Sequence, residues 1–144
     1  MNQDPFGDLS EWDRVLALVD AVADSGCLAE CQSGLIRILR YKGNWRLREK
    51  VLKRVGEIET PSSQLIVQVL NLLADDNIYY DVRILATHAL IQLLKNLRDG
   101  FKGEIVLSVR KVAQRLRTTP QPILFDKVLK SLCSEMGLGS TSGV

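Results

Sequence analysis

This 144-residue chain has one histidine, three cysteines and no glycine-rich phosphate loop, so it is poorly equipped for side-chain chemistry. With His88 alone, a multi-histidine metal site cannot be assembled, and His88 reads as a structural or partly exposed histidine in preference to a catalytic one. The cysteines, Cys27, Cys31 and Cys133, are odd in number and follow no secretory leader, which argues against a disulfide framework. Cys27 and Cys31 lie four apart on one helix face, two ligands where a zinc site needs about four, so they read as core residues. No apolar run approaches the roughly 18–20 residues of a membrane span. The start, MNQDPFGDLSEWD, is acidic and lacks the basic opening and apolar stretch of a signal peptide. These absences point to a cytoplasmic protein with no membrane association, no cofactor, no metal and no catalytic site. Neighbouring carboxylates at Asp75-Asp76 read as turn and capping residues.

What the chain does have is aliphatic and charged. Apolar residues make up 46% and charged residues 25%, in the range of a soluble globular domain, while aromatics are only 6%, which suits packed helices. The formal net charge of +2 hides an alternation: residues 1–34 carry seven acids against Arg14, and residues 35–58 carry eight bases against Glu49 and Glu57. Residues 59–94 are acidic again and residues 95–130 basic. An acidic first helix and a basic third helix either join copies head to tail or meet within one fold.

Apolar periodicity predicts about seven helices and no sheet. The first runs from a Ser10 cap to about Asp24, with Leu9, Val15, Leu16, Val19 and Val22 inward. The second covers about Cys27–Tyr41, and the third follows an Asn44 cap to about Ile58, burying Leu47, Val51, Val55 and Ile58. Thr60-Pro61 and Thr119-Pro120 read as start signals for the fourth helix, about 61–75, and the seventh, about 120–136. The fifth spans about 80–98, and Asp99-Gly100 with Gly103 mark a break before the sixth, about 103–117. The Gly/Ser-rich residues 137–144 read as a flexible tail, leaving residues 1–136 as one domain.

Two segments about 35 residues apart repeat one frame: Leu47-Arg48, Val51, Val55, Ile58, then Val82-Arg83, Ala86, Leu90, Leu93. The stretch from Val69 to Leu97 resembles a HEAT repeat, with its apolar first helix, its Asp-containing turn and V-R-x-x-A-x-x-A-L-x-x-L over Val82, Arg83, Ala86, Ala89, Leu90 and Leu93. Residues 27–58 and 103–136 share the frame less fully, with Phe125 at the arginine position of the third unit and Lys42-Gly43-Asn44 where the first unit's acid belongs. The resemblance implies a right-handed α-solenoid of HEAT-like helix hairpins, in the armadillo-like class, preceded by one capping helix. It also implies that second helices line a concave face on which partners bind, and that an arginine–aspartate ladder links the repeats.

On that face the third helix would present Arg46, Lys50 and Lys53, and the fifth His88, Gln92 and Lys95. Trp45 and Tyr80, with Tyr79 beside it, fall at the starts of successive second helices. Aromatic and basic side chains together suit an interface hot spot. Each of these residues also has a bland reading, as a solvated face, a turn cover or a structural histidine. The leading expectation is a non-catalytic interaction or scaffold module for another protein, an acidic segment or helix. The alternative is a nucleic-acid-binding domain using Arg46, Lys50 and Lys53. Self-association and a HEAT-like enzyme subunit, such as the lyases that attach bilin chromophores, are further options, although nothing marks a chromophore site.

Overall fold

The computed structural model describes residues 3–97 and 99–136, and within them every regular element is helical. The α-helices are α1 (Trp12–Asp24), α2 (Gln32–Arg40), α3 (Trp45–Arg54), α4 (Ser63–Ala74), α5 (Tyr80–Lys95), α6 (Asp99–Arg117) and α7 (Ile123–Glu135). Single 3₁₀ turns at Leu28–Cys31 and Val55–Glu57 precede α2 and follow α3.

The packing order is that of two layers. Helix α2 packs on α4 and α4 on α6, while α1 packs on α3, α3 on α5 and α5 on α7. Helices α2 with α3, α4 with α5 and α6 with α7 form the cross-layer pairs. The cause lies in the apolar faces. Leu47, Val51 and Val55 are all but fully buried, as are Leu65, Ile66, Val69 and Leu73 and, on α5, Ala86, Leu90 and Leu93. Helices buried on more than one side sit between neighbours, and α4 and α5 hold that central place.

Several helix ends differ from expectation. Ser10 is not a cap: its amide and hydroxyl both bond the Asp8 carboxylate, and α1 begins at Trp12 without a side-chain cap. Asn44 does cap α3, accepting from the Arg46 amide at 2.9 Å. After Thr60-Pro61 the cap is Ser62, which accepts from the Leu65 amide at 3.1 Å; its own amide is held by buried Gln32 at 2.7 Å. The second helix is interrupted by its 3₁₀ turn, α6 runs through Asp99-Gly100 and Gly103, and α7 starts three residues after Pro120. Cys31 and Cys133 are buried as expected of core residues, but Cys27 is exposed. The expected tail, residues 137–144, lies outside the described residues.

The N-terminal segment has a role that its composition does not reveal. Phe6 is fully buried and Leu9 nearly so. Asp4 meets Arg37 of α2 through bonds of 2.7 and 3.0 Å, and Arg37 also reaches the Gly7 carbonyl at 2.8 Å. Gly34 permits this approach, since a Cβ there would lie 2.7 Å from the Phe6 ring. Hydrogen bonding to Arg37, foremost, holds the Asp4 carboxyl below its usual range.

Arg83 joins the layers. Its side chain is 2% exposed. Nε donates to the Leu73 carbonyl at the end of α4 at 2.9 Å, and Nη2 meets Asp76 at 3.3 Å. The guanidinium lies 5.2 Å from the Tyr80 ring centre and 4.7 Å from that of Phe125. Arg48 repeats the first of these bonds, from Nε to the Leu39 carbonyl of α2 at 2.9 Å. In the third unit Phe125 replaces the arginine, and its ring forms one wall around Arg83. Asp76 also takes Arg115 of α6 at 3.4 Å, which ties the second unit to the third.

Two stability measurements check these assignments. Arg83→Ala leaves a buried carbonyl unpaired and opens a cavity, so it should cost about 3 kcal/mol in urea unfolding, against about 1 kcal/mol for Arg48→Ala; equal costs would contradict the difference in burial. Because the folded-state pKa of Asp4 is lowered, its contribution is present above the ordinary value of 3.8 and is lost as pH falls through the folded value. Asp4→Asn should therefore lower the urea midpoint at pH ~7 and flatten its fall on acidification; an unchanged acid limb would remove Asp4 from that role.

Candidate partner-binding edge

A side chain at the first position of a helix tilts back over the helix start, because every Cα–Cβ bond leans towards the N-terminus. The first residues of α1, α3 and α5 are Trp12, Trp45 and Tyr80, and each is between 42 and 49% exposed. Tyr79, one residue earlier, is 78% exposed, and Ile123 and Leu124 at the start of α7 are also exposed. Of the eight large apolar residues exposed among the described residues, only Val67 and Leu107 lie elsewhere. The exposed aromatic surface is therefore gathered at one edge, where the second-layer helices begin.

Within that edge the starts of α1, α3 and α5 enclose a groove of about 580 Å³. Trp12, Trp45, Tyr79 and Ile78 give it apolar walls, and Lys42, Arg46 and Arg48 give it three cations with no carboxylate in the lining. The Arg46 guanidinium lies 5.7 Å from the Trp45 ring centre, and Trp12 Nε1 reaches the Tyr41 hydroxyl at 3.5 Å. Burial lowers the pKa of Arg48, partly offset by the charge of Asp75 in the next unit, but an arginine at any accessible pH stays charged. Helix α3 is capped by Asn44, whereas α1 and α5 start with no side-chain cap. The first turns of α1 and α5 each carry an acid, Asp13 and Asp81, that meets the positive dipole end of its own helix.

The structure divides the residues singled out from sequence. Trp45, Arg46 and Tyr79 share the groove. Tyr80 turns the other way, packs on Phe125 at 5.4 Å between ring centres and faces a smaller groove with Arg115 and Gln121. Lys50 is bound to Asp20 of α1 at 2.8 Å, and Lys53 to Glu49 of its own helix at 3.2 Å. Arg54 gathers Asp20, Asp24 and Glu57. The acidic first block and the basic second block thus meet inside one chain. His88 is exposed on α5, and Lys95 pairs with Glu135 at 3.6 Å. Lys95 is separated from Tyr80 by the length of α5, roughly 22 Å at 1.5 Å per residue, so the eight residues do not form one site.

Sequence reasoning missed Trp12 and Lys42. A signal was there for Trp12, since the chain's only two tryptophans both open helices of the same layer. Among the described residues no group of three His, Cys, Asp or Glu side chains could hold a metal ion, and no helix is long and apolar enough to cross a membrane. Comparison with family models, curated proteins and solved structures finds no match.

The pairing of Lys50 and Arg54 with α1 predicts a change of surface on its removal. Asp20→Asn/Asp24→Asn should cost no more than about 1 kcal/mol in stability, as exposed pairs do. It should also strengthen retention on a heparin column. Unchanged retention would mean that these cations already face solvent.

Proposed function

We propose that this protein is a non-catalytic, cytoplasmic interaction module built as a right-handed HEAT-like α-solenoid, and that its partner is another protein. The repeated arginine-to-carbonyl bond of Arg48 and Arg83, and the order of the two layers, support the repeat reading. The observation that carries the function is the gathering of exposed Trp12, Trp45 and Tyr79 around a cation-lined groove. Aromatics and arginine are the residues that dominate binding at protein interfaces. Exposing three such rings costs hydration free energy, which covering them on association would recover.

This moves the expected contact from the face around Lys50 and Lys53 to the edge formed by the helix starts. The cations of that face are engaged within the chain at Lys50, Lys53 and Arg54. A nucleic-acid backbone would find fewer open charges there than the sequence suggested, since each neutralised cation releases no counterion.

Affinity purification with three forms of the protein tests this reading: wild type, Trp45→Ala/Tyr79→Ala and His88→Ala/Gln92→Ala. All the altered side chains are exposed, so the thermal melts should coincide to within a few degrees. Partner proteins should be retained by wild type and by the His88/Gln92 variant, and lost from the Trp45/Tyr79 variant. Retention of the same partners by all three, or material released by nuclease, would count against the proposal.

A further inference from the structure

The groove between the starts of α1, α3 and α5 also indicates what kind of segment would fill it. We propose that it takes an extended acidic stretch of the partner, with one aromatic or aliphatic side chain seated among Trp12, Trp45 and Tyr79. Its carboxylates pair with Lys42 and Arg46. The inference rests on the edge being the interaction surface and adds the chemistry of the occupant.

The charge is one argument. The lining holds Lys42, Arg46 and Arg48 and no acid. Arg48 is committed to the Leu39 carbonyl. Lys42 and Arg46 are exposed and, among the described residues, have no ion-pair partner within 4.0 Å, while Lys50, Lys53, Arg54, Arg83 and Arg115 all have one. Among the described residues Arg40, Lys111, Arg117 and Lys127 are also exposed without an ion pair; what sets Lys42 and Arg46 apart is that they stand together beside exposed aromatic rings in a groove with no acid in its lining. Asp13 and Asp81 follow Trp12 and Tyr80 in sequence but do not line the groove.

Dimensions are the second argument. The groove lies across the starts of α1, α3 and α5 and the turns that precede α3 and α5, a course that an extended chain follows. Crossing from α1 to α5 covers two interaxial distances, roughly 18 Å, or about six residues at ~3.3 Å each.

Both tryptophans of the chain line this groove, so intrinsic fluorescence reports on it without a label. The test selects a displayed library of random peptides of about twelve residues, twice the length that spans the groove, on the wild-type protein. Selected peptides that lack tryptophan are then titrated into wild type and into Lys42→Glu/Arg46→Glu, two exposed positions that leave the core intact. The pool should be enriched in Asp and Glu flanking one aromatic or aliphatic residue. Binding should shift the emission to shorter wavelength, weaken as salt rises, and be at least about tenfold weaker in the double variant. A pool of neutral or basic peptides would overturn the inference, as would peptides that bind the double variant equally well. A single-stranded oligonucleotide that shifts the emission as strongly as the peptides would also overturn it. If the inference fails while partners still depend on Trp45 and Tyr79 in affinity purification, only the chemistry of the occupant is wrong; if that dependence is absent, the functional reading falls with it.

Discussion

In the first two helix pairs an arginine bridges from the second helix to the end of the first, and this is the contact on which the arrangement depends. A helix that stops leaves its last carbonyls unpaired, and burying one without a donor costs about 1–3 kcal/mol. Helices α2 and α4 both end on a residue with extended backbone, Tyr41 and Asp75, with no glycine cap. Arg48 and Arg83 supply the missing donor to Leu39 and Leu73. In doing so they fix where α3 and α5 begin relative to the layer beneath. Trp45 and Tyr80 lie three residues before these arginines, one turn back on the same helix face, so the clamp that closes each hairpin also sets out the aromatics at its edge.

The cost of burying a guanidinium is offset differently in the two copies. Around Arg83 the rings of Tyr80 and Phe125 and the Asp76 carboxylate surround the charge. Arg48 stays partly open, with Asp75 near enough to favour its charge and the groove on its other side. That difference traces to one substitution in the frame. The third unit carries Phe125 where the others carry arginine, and the ring shuts Arg83 away. No equivalent ring covers Arg48, and the space beside it is the groove.

The sequence showed the number of helices, their apolar faces and the stacking of units, because a 3.6-residue period depends only on neighbours along the chain. The repeated frame, Leu47-Arg48 and Val82-Arg83, set the two arginines at matching places, but the Leu39 and Leu73 carbonyls that they bond were not legible from it. Helix ends were less legible. Ser10, Thr60 and Thr119 are good caps by composition, yet Asp8 takes Ser10, Gln32 selects Ser62, and α7 waits until Ile123; each choice depends on a group that sequence spacing does not display. Phe6 sits in no periodic segment, so its burial under Asp4–Arg37 was invisible. The same holds for the site. Trp45, Arg46 and Tyr79, singled out by type and position, line one groove, but Lys50 looked open because its partner, Asp20, is 30 residues away.

On the proposed function, a partner protein is contacted at the edge where α1, α3 and α5 begin, and not on the face of α5 that carries His88. Site-specific photocrosslinking reads this directly. A photoreactive phenylalanine is placed at Trp45 in one protein and at His88 in another, and both are irradiated with native extract. The account predicts crosslinked partner peptides from the Trp45 position, acidic in sequence, and none from His88. Crosslinks from His88 with none from Trp45 would contradict it.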